Sequence, residues 1–160
     1  MREILFRGKS IFTNKWVEGY YRKIESNNPD QDTPYLIYDM VNQDWMVDPD
    51  TISQYTGLID GNGKKIFEGD ILQFGVHRLI VYWDEESFQW TAKKTKGYDI
   101  IHFCHENPRG FWNSIDLGEI AAEEIITGKM TTVIIGNIYD NADLIEDSTD
   151  DSNSDFSWEF

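Results

Sequence analysis

Short apolar runs separated by polar turn residues follow one another along most of this chain. In the clearest case, residues 79–83 are apolar, residues 84–87 are polar, and residues 88–92 return with alternating apolar side chains. This pattern predicts a β-hairpin, because alternate side chains on a strand face the same side of a sheet. Shorter runs predict further strands at residues 4–6, 16–22, 35–38, 45–47, 98–103 and 132–138.

The stretch from Gln54 to Phe74 predicts strands that are joined by two tight turns. Asp, Gly and Asn dominate the first turn, at residues 60–63, and such residues tolerate positive φ angles. The second turn, at residues 68–70, leads directly into the apolar run from Ile71 to Phe74. Tight turns between short apolar strands favour a small, strongly bent β-barrel. The predicted structural turn residues are Gly57, Asp60, Gly61, Gly63, Glu68, Gly69 and Asp70.

One segment, residues 117–127, has helical rather than strand periodicity. Leu117, Ile120, Ala121 and Ile125 recur at helical spacing, and the glutamates between them fall on the opposite face. An Asp precedes the segment and a Gly follows it, as is typical of helix ends. The fold class predicted from these patterns is therefore mainly β (α+β), with one amphipathic helix.

Three parts of the chain resemble the YopX family of small phage and prophage proteins. They are the central segments 54–58, 60–63 and 66–71, the opening segments 2–9 and 16–19, and the closing segments 135–139 and 141–145. The resemblance extends from about residue 2 to residue 146. It implies an SH3-like β-barrel with added α/β elements, and no established activity or catalytic residue. Together with the predicted strands, this gives a small β-barrel with additional hairpins. We expect a β-rich part at residues 1–53 and the barrel, with its helix, at residues 54–146.

The chain is strongly acidic, with 29 Asp and Glu residues against 14 Lys and Arg residues and a net charge of −15. Such a surface repels phosphate backbones, so direct nucleic-acid binding is disfavoured and a basic protein is the more suitable partner. Residues 139–160 contain eight acidic residues and no Lys or Arg. This composition predicts an acidic, largely disordered tail at residues 147–160.

Candidate catalytic and metal-binding residues are few. His102, Cys104 and His105 lie close together, but strand alternation sends His105 to the other face, and a metal site needs three or four converging ligands. Asp84, Glu85 and Glu86 suit a solvated hairpin tip better than acid–base chemistry. We therefore predict no catalytic, cofactor-binding or metal-binding residue, and a protein that is not an enzyme. The single cysteine, together with the lack of a signal peptide or a long apolar run, favours the cytoplasm.

Two groups of residues are candidates for interaction. A basic group is formed by Lys93, Lys94 and Lys96. It could bind an anion by charge and stacking, but we favour the interpretation that it is a solvated loop. Phe156, Trp158 and Phe160 end the acidic tail, which could dock on a basic partner, fold back on residues 93–96, or stay free. Exposed-type aromatic residues (Trp16, Trp45 and Trp112) also suggest a homo-oligomer.

These observations lead to two hypotheses about function. The first is a phage-encoded, non-enzymatic protein-interaction module that acts in the host bacterial cytoplasm. The alternative is a phage inhibitor of a host system, which acts either as an acidic DNA mimic or as a sponge for a small nucleotide held between subunits.

Overall fold

The computed structural model describes residues 3–25, 34–74, 77–96, 114–117 and 132–145. Most of these residues lie in strands, which confirms the prediction of a mainly β protein. The strands are β1 (Phe6–Lys9), β2 (Trp16–Lys23), β3 (Tyr35–Asp39), β4 (Asp44–Met46), β5 (Ser53–Ile59), β6 (Lys65–Phe67), β7 (Asp70–Phe74), β8 (His77–Asp84), β9 (Gln89–Lys96), β10 (Ser114–Asp116) and β11 (Val133–Asn137). Two short 3₁₀ turns are formed by Pro49–Thr51 and Ala142–Leu144.

The strands form two antiparallel sheets. The first sheet has the order β4-β3-β2-β1-β5-β6, and the second has the order β10-β9-β8-β7-β11. Among the described residues, neither sheet closes into a barrel. The chain passes from the first sheet to the second at the turn between β6 and β7, so this turn is the covalent link between them.

The first sheet is bent at Gly19, in the middle of β2. The half of β2 before Gly19 pairs with β1, and the half after it pairs with β3. An isolated bridge between Ser10 and Val47 also joins the ends of β1 and β4, although β2 and β3 lie between these strands in the sheet order. Ile37 and Val47 are buried in this bent sheet. The bend leaves no room for a side chain at Gly19, where a Cβ atom would lie 1.9 Å from the carbonyl oxygen of Tyr38.

The second sheet is built around the β8–β9 hairpin, which confirms the hairpin predicted from the sequence. The ring centroids of Trp83 and Trp90 lie 5.1 Å apart in an edge-to-face arrangement across it. A core cluster joins both sheets, because Ile66 of β6 packs with residues of the second sheet. The buried members of this cluster are Ile66, Leu72, Leu79, Val81, Trp90, Ala92 and Leu117.

The structure corrects several local predictions. Residues 93–96 are not a loop, because they extend β9 and pair with residues 78–80 of β8. The predicted strand at residues 4–6 begins at Phe6, after Leu5, which is buried against the β5–β6 pair. The strand predicted at residues 132–138 is β11, which spans only Val133–Asn137 and lies, partly buried, at the edge of the second sheet.

Other predictions concern residues outside the described ranges. Of the helix predicted at residues 117–127, only Leu117 lies in the described ranges. The predicted strand at residues 98–103 and the predicted acidic tail at residues 147–160 lie entirely outside the described ranges. The same holds for His102, Cys104, His105 and Trp112. In the part of the chain that the structure describes, no helix has both the length and the apolar character needed to cross a membrane.

Candidate functional site: a polar junction between the two sheets

The β6–β7 turn is held in place from both sides. Gly69 has a φ angle of +77°, which glycine adopts without the steric cost that a side chain would add. Its N–H donates a hydrogen bond to the carbonyl of Val81 at 2.8 Å, and its carbonyl accepts one from the N–H of Ile138 at 2.9 Å. A Cβ atom at this position would lie 3.1 Å from the ring of Tyr139. The turn is therefore fixed against β8 and against the segment that follows β11.

Arg7 of β1 joins the first sheet to this turn. Its Nη2 atom donates to Oδ1 of Asp70 at 2.6 Å, while Oδ2 of the same carboxylate accepts the N–H of Phe67 at 2.8 Å. The guanidinium carbon lies 4.6 Å from the centroid of the Trp16 ring and 4.8 Å from that of Phe67. Arg7 is thus stacked between two aromatic rings while it holds the carboxylate that opens β7.

The environment of Asp70 shows that the Arg7 contact is structural. The side chain of Asp70 is only 1% exposed, and this burial raises the pKa of its carboxyl group, whereas the Arg7 guanidinium acts to lower it. A buried carboxylate is strongly destabilising without a charged partner or hydrogen bonds, and Asp70 has both. We infer that the pair fixes the position of the two sheets relative to the turn.

A second polar cluster lies beside the first and joins β1 and β2 to the end of β11. Asp140 accepts hydrogen bonds from Nε1 of Trp16 at 2.7 Å, from Nδ2 of Asn137 at 3.1 Å, and from Nζ of Lys9. The rings of Trp16 and Tyr139 lie 5.6 Å apart. Burial tends to raise the pKa of Asp140, but these donors outweigh burial and lower that pKa to about 2.

The shifted pKa of Asp140 predicts a pH-dependent stability. The folded-state pKa of about 2 lies below the ordinary value of 3.8, so Asp140 stabilises the fold above pH 3.8 and loses this effect as the pH falls toward 2. The variant Asp140→Asn lacks a titrating group. We expect its melting temperature to lie below that of the unmodified protein near neutral pH, with the difference shrinking across this acidic range. A difference that is independent of pH would contradict the assignment.

The turn at residues 60–63 is also built around a buried carboxylate. Asp60 is fully buried, and its Oδ1 atom accepts the N–H groups of Asn62 at 2.9 Å and Lys64 at 2.8 Å. Its Oδ2 atom accepts the N–H of Ile134 at 3.0 Å. Burial favours a higher pKa for Asp60, but these three donors outweigh it and lower the pKa. Backbone donors therefore occupy both oxygens, and the turn joins β5 and β6 to β11.

The structure places the residues singled out in the sequence in three different settings. The turn residues lie at the two turns and, for Gly57, inside β5, where φ is +90°. The basic residues Lys93, Lys94 and Lys96 lie in β9, and Lys93 is exposed. The tail residues Phe156, Trp158 and Phe160 lie outside the described ranges.

Sequence reasoning missed the partners in the junction. Arg7, Lys9 and Asp140 were not among the residues singled out, and nothing near them in the chain indicates their partners. Arg7 and Asp70 are 63 positions apart, and Lys9 and Asp140 are 131 positions apart. The resemblance was the available signal, because its opening and central segments supply Arg7, Lys9 and Asp70, and its closing segments flank Asp140.

The carboxylates of the junction are engaged in contacts within the protein. Among the described residues, no group of three or more His, Cys, Asp and Glu residues could hold a metal ion. The carboxylates of Asp70 and Asp140 are occupied by the donors described above. The arrangement can fix the geometry of two sheets, and we assign it that role.

A different surface, the outer face of β2–β3–β4, presents apolar side chains to solvent. Tyr20 lies opposite Tyr38, and Met46 lies opposite Leu36, so these residues share one face of the sheet, on which Leu36 itself is buried. Tyr20 is 52% exposed and Met46 is 38% exposed. The rim carries Arg22, which pairs with Asp44 at 2.8 Å. We call this surface the outer face.

The outer face continues into the β1–β2 turn. The N–H of Ile11 donates to the carbonyl of Met46 at 3.1 Å, which places this turn beside β4. Phe12, the next residue, is 76% exposed. Large exposed apolar side chains that are contiguous on one surface commonly mark a protein–protein interface.

A comparison with protein-family models identifies the family of this chain. The family model described as YopX protein matches residues 5–146 of the chain. Protein EF1440 from Enterococcus faecalis, whose crystal structure is known, is 19% identical over 91% of this chain and 100% of its own, with a TM-score of 0.43. A comparison with curated proteins found no match.

Proposed function

This chain belongs to the YopX family, and we propose that it is a non-enzymatic protein-interaction module, encoded by a phage or prophage and acting in the host bacterial cytoplasm. The observation that supports this proposal is the outer face, where Tyr20 and Met46 are exposed on one side of the first sheet, and the adjoining β1–β2 turn exposes Phe12. The polar junction, by contrast, uses its side chains to hold the two sheets together.

The partner that we propose for the outer face is a second copy of the chain. Contacts between identical subunits are most often related by a two-fold axis, which brings the same surface of both copies together. Arg22 and Asp44 suit such an arrangement because both lie on the rim, both are about half exposed, and they carry opposite charges. In a two-fold contact, Arg22 of each copy can approach Asp44 of the other.

The double variant Tyr20→Glu/Met46→Glu tests this assignment. Four carboxylates brought together in one interface repel each other, so we expect a dimer of the unmodified protein to become a monomer. Light scattering coupled to size-exclusion chromatography at tens of micromolar measures this directly. The control is Phe88→Glu, which changes a residue that is 78% exposed in the β8–β9 turn of the other sheet and should leave the dimer intact.

The oligomeric states of the unmodified protein and of the double variant show whether the chain self-associates through the outer face. A monomeric unmodified protein would contradict self-association, and a dimer that survives the double variant would place the interface elsewhere. Circular dichroism of each variant should match that of the unmodified protein, because Tyr20 and Met46 are both partly exposed.

The SH3-like barrel is part of the same proposal and concerns residues 54–146. It is supported by the packing of Leu58 and Ile66, from β5 and β6, against the core of the second sheet. Strands of both sheets thus surround one apolar cluster, as in a small barrel made from two bent sheets.

The strong negative charge supports a second candidate, a phage inhibitor that occupies a basic groove of a host protein as a DNA mimic. The net charge of −15 would steer the chain toward such a groove and would make the association sensitive to salt. A monomer that forms a salt-sensitive complex with a DNA-binding host protein would favour this candidate over self-association.

A further inference from the structure

Phe88, at the tip of the β8–β9 hairpin, combines two properties that are unfavourable for folding. Its φ angle is +54°, a backbone conformation that is strained for a bulky side chain. Its side chain is 78% exposed, so the ring gains little free energy from burial in the folded protein. The fold alone therefore does not explain a phenylalanine at this position.

The other positions with a positive φ angle show which residue types suit this conformation. In the part of the chain that the structure describes, all of them except Phe88 are glycine or asparagine, which adopt positive φ angles at a low steric cost. They are Asn14, Asn42, Gly57, Gly63 and Gly69. Phe88 is the exception among the described residues, and strained backbone conformations cluster at functional sites.

The hairpin turn holds the backbone of Phe88 in place. Oδ1 of Asp84 accepts the N–H of Glu86 at 3.0 Å, and its Oδ2 atom accepts the hydroxyl of Ser87 at 2.6 Å. Asp84 is also the register partner of Gln89, the residue after Phe88. An ordered turn thus presents the ring to solvent, and an aromatic side chain with two rotatable bonds loses little entropy when it is bound.

The charge of the hairpin indicates the kind of partner that suits Phe88. Residues 79–92 include the acidic residues Asp84, Glu85 and Glu86 and contain no Lys or Arg. Glu85 and Glu86 are exposed in the same turn as Phe88. An aromatic ring in an acidic turn complements an apolar pocket with a basic rim. The same charge disfavours an anionic lipid surface.

We propose that Phe88 is the anchor of a docking site for a second protein, which has an apolar pocket with lysine or arginine residues at its rim. Phe88 fills the pocket, and Glu85 and Glu86 face the basic rim. This proposal does not depend on the self-association proposed for the outer face, because the hairpin belongs to the other sheet and takes a different partner. In the purified protein, where that partner is absent, Phe88→Glu remains a control for self-association.

The stability of two variants tests whether the ring serves the fold or a partner. Phe88→Gly removes the backbone strain, so we expect the melting temperature to rise by about 2–4 °C. Phe88→Ala retains a Cβ atom and the strain, and it should leave the melting temperature nearly unchanged. A lower melting temperature for Phe88→Gly would overturn the proposal, because the ring would then stabilise the folded protein.

Photo-cross-linking tests the docking site in the full-length protein. A chain with p-benzoylphenylalanine at position 88 is irradiated in a clarified extract of the cells that produce the protein. We expect an adduct with another protein that is suppressed by excess unmodified chain and not by excess Phe88→Ala. A chain with the cross-linker in place of Phe12, which is 76% exposed in the first sheet, should not form this adduct.

Several outcomes of the cross-linking experiment would overturn the proposal. They are the absence of a suppressible adduct at position 88, an adduct with lipid or with a second copy of the chain, and equal suppression by the unmodified chain and by Phe88→Ala. Each of them would mean that the ring does not anchor a separate protein.

The affinity of the captured protein, after purification, separates the roles of the ring and of the charges. We expect Phe88→Ala to raise the Kd by about 30-fold or more, as loss of a central anchor does. Glu85→Lys/Glu86→Lys should also weaken binding, and the unmodified complex should weaken as the salt concentration rises. A Kd that neither variant changes would overturn the proposal.

Discussion

Replacing Gly19 with alanine is expected to destabilise the protein by about 3 kcal/mol or more, because the added methyl group cannot fit without movement of the backbone. A Cβ atom at this position would lie 1.9 Å from the carbonyl oxygen of Tyr38 and 2.9 Å from the Cα atom of Asp39. Both contacts are with the backbone of β3, which cannot give way as a flexible side chain can. Relief of the clash requires β2 and β3 to separate at the bend.

Chemical denaturation measures the effect of Gly19→Ala, and Gly63→Ala is the matched control. Gly63 has a φ angle of +78°, so alanine is also strained there, but no atom lies within 4 Å of the new Cβ. The control should therefore lose only about 1 kcal/mol. Equal losses for the two variants would contradict the close approach of β2 and β3 at Gly19.

Loss of either partner of the Arg7–Asp70 pair is the second large effect that we expect. In Arg7→Met the buried Asp70 loses its cationic partner, and in Asp70→Asn the guanidinium of Arg7 loses its anionic one. Removal of one member of a buried ion pair typically destabilises a protein by about 3–5 kcal/mol. We expect each single variant to lose stability in this range near neutral pH.

The exposed ion pair Arg22–Asp44 supplies the control for this experiment. Its two side chains are about half exposed, and pairs of that kind contribute about 0–1 kcal/mol. Arg22→Met should therefore leave the free energy of unfolding nearly unchanged. A loss for Arg7→Met as small as that for Arg22→Met would mean that the pair does not hold the junction.

Local patterns in the sequence were sufficient to predict the hairpins and turns. The hairpin of β8 and β9 follows from alternation around residues 84–87, where Oδ1 of Asp84 accepts the N–H of Glu86 at 3.0 Å and holds the turn. The turns at residues 60–63 and 68–70 follow from residue types that suit positive φ angles and local hydrogen bonds. These elements are specified by residues close in the chain, and in the two turns the contacts of Asp60 with Ile134 and of Gly69 with Val81 and Ile138 add to that local preference.

The long-range parts of the fold could not be predicted in this way. The bend of β2 depends on the approach of Gly19 to Tyr38, whereas a glycine inside a strand is equally typical of a bulge or of a ligand contact. The polar junction depends on side chains that are far apart in sequence. Their residue types are common on protein surfaces, so composition alone does not identify them as buried partners.

The wrong assignment of residues 93–96 has a specific physical reason. Lysine has a low preference for strands, and a cluster of lysines after an apolar strand is usually a solvated loop. In the structure, pairing with residues 78–80 extends β9 through this cluster. Cross-strand pairing in the sheet thus outweighs the preference of the single residues.

The central claim is that Arg7 of the opening segment and Asp70 of the central segment form a buried pair that unites the two sheets. A double-mutant cycle of Arg7→Met and Asp70→Asn, measured by chemical denaturation at neutral pH, tests it most directly. If the two side chains act on each other, the double variant will be more stable than the sum of the single losses predicts, by more than about 1 kcal/mol. Losses that add to within about 0.5 kcal/mol would contradict the claim, because side chains that do not interact contribute independently.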